Sequence, residues 1–333
     1  MPSLLSYRPA VLLTAVLISL WAAAGFVVNR SQGYSDAFYG PDYVVPGVIP
    51  GGLADSSGFR AGDRVITVES IPVEGLGMQS RWPRALTPRV GQTQRVVVER
   101  AGQLVTLNVT YGPTPRSVIM LRLGGALVGL AFLWAGVWAL FAVGTLHAQK
   151  LTAIGLAAGV GMLGMGPSLG RLNGVVGHIS FAALILWAAF LLRFFLMYPT
   201  TKRPGASAVT TGIIYGLWIL FLPLLVLELV THPALYHTYG GPGYLLMLTY
   251  LILALVAVVH TWVTTPRAEL ARSGMSIVLI GLAIGLVPAL VGFVDWAFLR
   301  GFDIPTSVYW PMLVAVVPVA MGLAVRRESQ AAG

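Results

Sequence analysis

Eight long apolar runs constrain the fold of this chain more than any other feature of its sequence. A helix needs about 20 mainly apolar residues to cross a bilayer. The runs lie at about residues 9–28, 120–143, 151–165, 176–197, 209–230, 244–263, 276–298 and 308–325. Charged residues make up 10% of the chain, against about 25% in an ordinary soluble domain. The sequence therefore predicts an α-helical polytopic membrane protein with eight transmembrane helices.

A polar segment, residues 29–116, separates the first apolar run from the other seven. Three stretches rich in β-branched residues, at 65–68, 95–98 and 104–109, are punctuated by glycine and proline and predict strands. The chain has no cysteine, which excludes disulfides, thiolate nucleophiles and cysteine-ligated metals. We therefore predict one small inserted β-rich domain that is stabilised by its apolar core.

The distribution of lysine and arginine predicts the topology, because cytoplasmic loops carry an excess of these residues. If the N-terminus is inside, the short outside loops hold only Arg171 and Arg300. The short inside segments then hold Arg8, Lys150, Lys202, Arg203, Arg267, Arg272, Arg326 and Arg327. The net charge of +9 is therefore interpreted as membrane topology plus a basic domain, without a nucleic-acid partner.

These patterns divide the chain into four parts of a multi-pass protein in the cell membrane. Residues 1–28 are an N-terminal transmembrane anchor, and residues 29–116 are an extracytoplasmic domain. Residues 117–327 are a seven-helix transmembrane bundle, and residues 328–333 are a cytoplasmic tail, so both termini are predicted to be cytoplasmic. A cleaved signal peptide is the alternative for the first run, because Ala22, Ala23 and Ala24 resemble a cleavage site.

Residues 45–66, VPGVIPGGLADSSGFRAGDRVI, resemble the core motif of bacterial PDZ domains. That motif has a proline-glycine turn and a small-residue helical turn, then two glycines and an aspartate before a strand. Its residues here are Gly47, Pro50, Gly58, Gly62 and Asp63. Gly58 and Gly62 suit tight turns because glycine adopts positive φ at no steric cost, and Asp63 can accept hydrogen bonds from nearby amides. A generic β-rich exported domain is the alternative.

The PDZ resemblance implies capture of an extended peptide as an added strand on a sheet edge. The carboxylate-binding loop would lie just before the motif, which makes Tyr39, Gly40, Tyr43 and Val44 the candidate ligand-binding residues. Pro41 removes one amide donor from this loop. The domain could therefore also be a degenerate PDZ that senses or packs.

Several membrane segments are similar to the membrane region of bacterial multi-span sensor histidine kinases, including the competence-type quorum sensor kinases. They are FFLMYP at 194–199, KRP at 202–204, PRAE at 266–269, IGLAIGLVP at 280–288 and VPVAMGLAVRR at 317–327. The resemblance implies a homodimeric sensor with an anchor helix, an extracytoplasmic PDZ-like domain and seven further helices, coupled to a cytoplasmic kinase or output partner. Few residues follow Arg327. We therefore expect either the sensor half of a kinase or a receptor that acts through a partner, and not an enzyme in itself.

Ionisable residues near the predicted outer ends of the helices form a second candidate site. Polar residues within membrane segments are costly and are functional candidates for that reason. His178, Glu228, Asp295 and Arg300 would lie at one level and could bind a small extracytoplasmic ligand. The alternative is that they meet interfacial water and membrane lipid as ordinary helix-end residues.

No catalytic residue, metal site or cofactor is predicted. The histidines do not form H-E-x-x-H, and the G-x-S-x-G sequence at 166–170 lacks the strand and helix of a hydrolase nucleophile elbow. Two further pairs, Gly155 with Gly159 and Gly281 with Gly285, have the G-x-x-x-G spacing of helix packing in membranes.

Together these features predict signal reception. The chain would sense an extracytoplasmic peptide or small ligand and transmit the signal to a cytoplasmic output domain or partner. The alternative function is a membrane-tethered PDZ scaffold, which recruits peptides or proteins for a separate protease or secretion machine.

Overall fold

The computed structural model describes residues 4–35, 43–45, 47–73, 88–163, 166, 173–199, 202, 207–231, 234–294 and 310–332. The chain is mainly helical and carries one small antiparallel sheet. Its helices are α1 (Arg8–Val28), α2 (Leu53–Ser56), α3 (Arg116–Ala142), α4 (Leu146–Gly161), α5 (Asn173–Met197), α6 (Ala208–Thr231), α7 (Ala234–Thr264), α8 (Arg267–Arg272), α9 (Met275–Val294), α10 (Trp310–Val314) and α11 (Val316–Ala332). Its strands are β1 (Arg64–Val68), β2 (Ile71–Pro72), β3 (Thr93–Arg100) and β4 (Gln103–Thr110).

Five helices of the described residues are long and apolar enough to cross a bilayer. Their spans are Arg8–Val28, Arg116–Ala142, Val175–Met197, Ala208–Leu227 and Pro242–Thr264, and Met275–Gly285 is a shorter apolar helix. These helices indicate a membrane protein, in agreement with the predicted fold class. The count of eight spans stays a prediction, because α4 has 16 residues and the last apolar run is divided between α10 and α11.

Prolines account for two of the helix ends. The ring of a proline clashes with the carbonyl group four residues earlier, and Pro318 places that clash at Val314, where α10 ends. The residue before a proline is disfavoured in the helical region, and α5 ends at Met197, just before the Tyr198–Pro199 pair. The sequence thus sets these boundaries locally.

Small residues let the helices approach closely. A Cβ atom on Gly155 of α4 would lie 2.4 Å from the carbonyl oxygen of Phe132 on α3. A Cβ atom on Gly281 of α9 would lie 2.4 Å from the Cβ atom of Ala320 on α11. The interpretation of the two G-x-x-x-G pairs as packing sites is therefore confirmed, since membrane helices associate through such contacts.

Helix α1 belongs to the bundle core. Its buried residues Val11, Ala15 and Ile18 pack with Leu133, Val137, Leu140 and Met162. Three side-chain hydrogen bonds fix it along its length: Arg8 Nη2 donates to the Leu140 carbonyl oxygen (2.9 Å), Trp134 Nε1 to Ser19 Oγ (3.1 Å), and Trp21 Nε1 to the Leu163 carbonyl oxygen (2.9 Å). Helix α1 is therefore packed against α3 and α4 along its length, and its assignment as an uncleaved anchor stays a prediction.

The sheet lies in the segment between α1 and α3, residues 32–112, which we call the β module. Its strand order is β2-β1-β3-β4, and every pairing is antiparallel. The three predicted strands are confirmed, with β3 and β4 each somewhat longer than expected. Fully buried residues such as Val45, Phe59, Val96 and Val109 form a core whose described members all belong to the module.

Candidate functional site

Three glycines shape the turns around the short helix α2. Gly51, Gly58 and Gly62 have φ angles of +73°, +89° and +88°, a region that side chains with a Cβ atom rarely adopt. The predicted positive φ of Gly58 and Gly62 is therefore correct. Gly47 and Pro50 lie in the segment that leads into α2, where the amide of Gly52 donates to the carbonyl oxygen of Ile49 (2.9 Å).

The buried carboxylate of Asp63 binds the backbone of this loop and the guanidinium of Arg100. Its residue surface is 1% exposed, and Oδ2 accepts a hydrogen bond from the amide of Arg60 (2.8 Å), as the sequence predicts for this aspartate. Arg100 on β3 binds both carboxylate oxygens, with Nε 2.7 Å from Oδ1 and Nη2 2.7 Å from Oδ2. The same Nη2 donates to the carbonyl oxygen of Gly58 (2.7 Å). Asp63 and Arg100 thus fasten the glycine loop to the sheet.

The pKa of Asp63 reflects two opposing effects. Burial alone raises it, because the charged form loses hydration. The hydrogen bonds from Arg100 and the Arg60 amide, together with the positive charges, outweigh burial and hold the pKa below its ordinary value. The Arg100 contact could not be predicted from the sequence, because the two partners are 37 positions apart in the chain.

The candidate peptide-binding loop is described only at its end. Tyr39 and Gly40 lie outside the described residues, whereas Tyr43 has a φ angle of +60° and packs against the module core. Burial raises the pKa of the Tyr43 phenol. Val44 bridges to Arg64, and the Val45 amide donates to the Asp63 carbonyl oxygen (2.8 Å). One edge of the 44–45 segment is therefore occupied by the start of β1.

The second candidate site, at the predicted outer ends of the helices, is described at one of its four positions. His178 on α5 is 5% exposed, the side chain of Glu228 on α6 is outside the described set, and Asp295 and Arg300 lie outside the described residues. At the same end of the bundle, Phe181 contacts Tyr244 and Phe221, with ring centroids 4.8 and 6.2 Å apart. The described part of this end is thus an aromatic contact between α5, α6 and α7.

A further cluster, which the sequence did not predict, lies at the opposite end of the bundle. We call His147, Phe194, Tyr198, Ser273 and Glu328 the His147 cluster. Nδ1 of His147 lies 2.9 and 3.0 Å from the two carboxylate oxygens of Glu328. Tyr198 is fully buried and donates its hydroxyl hydrogen to the carbonyl oxygen of Ser273. The cluster joins α4, α5 and α11 to the turn between α8 and α9.

Aromatic packing holds the imidazole of His147 in place. Its ring meets the Tyr198 ring edge-on, with centroids 5.2 Å apart, and Tyr198 stacks on Phe194 at 5.0 Å. Two lysines flank the cluster: Nζ of Lys150 lies 3.3 Å from Sδ of Met197, and Nζ of Lys202 donates to the carbonyl oxygen of Phe195 (2.6 Å). Burial lowers the pKa of Lys202.

Among the described residues, no group of three or more His, Cys, Asp or Glu side chains is arranged to hold a metal ion. Comparisons of the chain with protein-family models, curated proteins and solved structures give no match. A function can therefore be proposed only from the motifs and from the geometry of the β module and the bundle.

Proposed function

We propose that this chain is a multi-pass sensor of the cell membrane with eight transmembrane helices and both termini in the cytoplasm. The extracytoplasmic β module, a PDZ-like domain, captures a peptide or another small ligand. The bundle transmits binding as a shift of helices to a cytoplasmic kinase or other output partner, and the sensor works as a homodimer.

The observation that carries this proposal is the way the β module is attached to the bundle. The segments that enter and leave the module pair with each other. The amide of Tyr34 donates to the carbonyl oxygen of Gly112 (2.9 Å), and the amide of Gly112 donates to the carbonyl oxygen of Tyr34 (3.0 Å). Gly33 also donates to Pro88 (2.7 Å). A displacement of the module therefore acts on α1 and α3 together.

Helix α3 carries such a displacement to the far end of the bundle. Thr152 Oγ1 on α4 donates to the carbonyl oxygen of Gly136 on α3 (2.9 Å), and a Cβ atom on Gly322 of α11 would lie 3.3 Å from the Trp138 ring. Shifts of about 1–2 Å between packed helices are a common switching device. The ligand would have to bind one bundle arrangement more tightly than the other.

Hydrogen–deuterium exchange on the full chain in lipid nanodiscs tests this proposal. The probe is a pool of synthetic unstructured peptides with free C-termini, and the same pool with amidated C-termini is the control. We expect slower amide exchange in residues 44–45 and β1 together with altered exchange in the last turns of α11. If no peptide changes exchange in any segment, peptide capture is wrong.

The scaffold function is the second candidate, and one observation favours it. The described core of the β module shares no residue with the two described cores of the bundle, so the module could bind a partner without moving the helices. Slower exchange within the module, with unchanged exchange throughout α3, α4 and α11, would support the scaffold and reject the sensor.

A further inference from the structure

The last two turns of α11 make two described contacts with other helices besides their apolar packing: the Arg326 guanidinium lies 6.0 Å from the centroid of the Trp138 ring on α3, and Glu328 contacts His147 on α4. Ala324 and Val325 are fully buried, whereas Arg326, Arg327 and Ala331 are exposed. Between these exposed positions, the carboxylate of Glu328 meets His147 Nδ1. The side chains of His147 and Glu328 are 19% and 28% exposed, so solvent or a partner can reach the contact.

The two sides of this contact differ in how firmly they are fixed. His147 is in the first turn of α4, next to a Thr145 cap whose Oγ1 accepts from the Ala148 amide (3.3 Å). Its ring also rests against buried Tyr198. Glu328, by contrast, lies in the last turns of α11, four residues before the helix ends at Ala332. Lys150 adds electrostatic attraction for the Glu328 carboxylate from the same face of α4.

A close helix crossing lies one turn before Glu328. A Cβ atom on Gly274, whose φ angle is +73°, would lie 2.8 Å from the Cα atom of Ala324. The backbone of the turn before α9 therefore touches α11 with no side chain between them. The crossing is therefore a point about which α11 can tilt.

We propose that the His147–Glu328 contact is a latch that holds the end of α11 against α4, with the Gly274–Ala324 crossing as the pivot. Release of the latch lets the last turns of α11 move away from α4. A partly exposed contact of this kind contributes little net stability even when both groups are charged, so a small shift of α3 or α4 is enough to open it. The inference rests on the proposed function for its role in output, since the movement would be the signal passed to the partner.

The absence of cysteine from the chain makes the latch directly measurable. Cysteines introduced at exposed Leu146 on α4 and Ala331 on α11 carry spin labels, and electron–electron distance measurements are made on the full chain in nanodiscs without ligand. Glu328→Gln and His147→Gln should each lengthen or broaden the distance by about 1–2 Å or more. Arg327→Gln, an exposed neighbour on the same helix, should leave the distance unchanged.

An unchanged distance in both latch variants would overturn the proposal. If either variant does not yield folded protein, Glu328→Asp replaces it: the carboxylate then falls short of His147 by one methylene group, and an unchanged distance again overturns the latch. The peptide pool separates the two ideas. If the latch variants change the distance between the two labels but no peptide of the pool changes it, the latch is supported and the proposed sensor function is wrong.

Discussion

At the scale of single residues, the buried carboxylate of Asp63 makes the sharpest prediction for the β module. Asp63→Asn removes the charge that Arg100 binds through two hydrogen bonds. Breaking a buried pair costs roughly 3–5 kcal/mol, and we expect the lower end because the Arg100 side chain is 24% exposed and can recover hydration. The measurement is the free energy of opening of β1 and β3 amides by native-state hydrogen exchange on the full chain.

Asp55→Asn is the matched control for this substitution. Asp55 accepts one hydrogen bond from the Gly51 amide (2.8 Å) at an exposed site, so its loss should cost only about 0.5–1.5 kcal/mol. Equal effects of Asp55→Asn and Asp63→Asn would contradict a special role for the buried pair.

The pH dependence of the same comparison follows from the lowered pKa of Asp63. In the unfolded chain the pKa of an aspartate carboxyl group is about 3.9. The stabilisation is therefore complete above about pH 5 and is lost as the pH falls through the lower pKa of the folded state. The stability difference between the natural chain and Asp63→Asn should shrink from about pH 5 to about pH 2. A difference that is independent of pH would mean that the carboxylate charge is not what stabilises the loop.

At the scale of secondary structure, the α3–α4 crossing predicts an effect of adding one methyl group. In Gly155→Ala the new Cβ atom would lie 2.4 Å from a backbone oxygen, which cannot rotate away. Overpacking of this kind costs about 1–3 kcal/mol. Gly216→Ala on α6 is the control, because nothing lies within 4 Å of its Cβ position. Thermal unfolding in detergent micelles should show a lower midpoint for Gly155→Ala alone, and equal midpoints would contradict the close crossing.

Local signals explain which elements could be predicted from the sequence. The β-branched stretches gave three strands, and the spacing of Gly58, Gly62 and Asp63 gave the turn geometry, because each depends on neighbours in the chain. Hydropathy placed the start of the third apolar run at Leu151, whereas α4 begins at Leu146 after the Thr145 cap. The polar start of α4, with His147 and Lys150, follows this cap and packs against α5, and an apolar window detects neither feature.

Long-range contacts explain what could not be predicted. His147 and Glu328 are 181 residues apart, and neither has a motif around it that identifies the other. The same holds for Tyr198 and Ser273, which are 75 residues apart. Of the candidate ligand-binding residues, Tyr43, Val44 and His178 have described side chains. The structure places the first two in the β module and the third in the first turns of α5.

At the scale of the whole molecule, the two ends of the bundle differ. The contacts of the His147 cluster bring the start of α4 and the ends of α5 and α11 together at one pole of the bundle. The β module connects α1 and α3 at the opposite pole. The helix ends at the pole with His147 carry Arg8, Lys150, Lys202 and Arg326, and the β module at the other pole carries arginine residues as well. Only short loops count toward membrane orientation, because long segments cross largely regardless of their charge. The basic helix ends are therefore compatible with the proposed topology, in which the β module is outside.

Cysteine labelling with a membrane-impermeant maleimide tests that topology in sealed right-side-out vesicles. Single-cysteine chains carry Leu104→Cys on β4, Ala331→Cys on α11 or Leu220→Cys on α6. Leu104 and Leu220 are both 71% exposed, but Leu220 lies in a candidate membrane span. The two positions therefore differ in whether water or lipid surrounds them, and the maleimide labels only a cysteine that water reaches. We expect labelling at Leu104 in intact vesicles, at Ala331 only after permeabilisation, and at Leu220 in neither case. Labelling of both Leu104 and Ala331 in intact vesicles would place the β module and the end of α11 on the same side, which leaves no path across the membrane for the proposed signal.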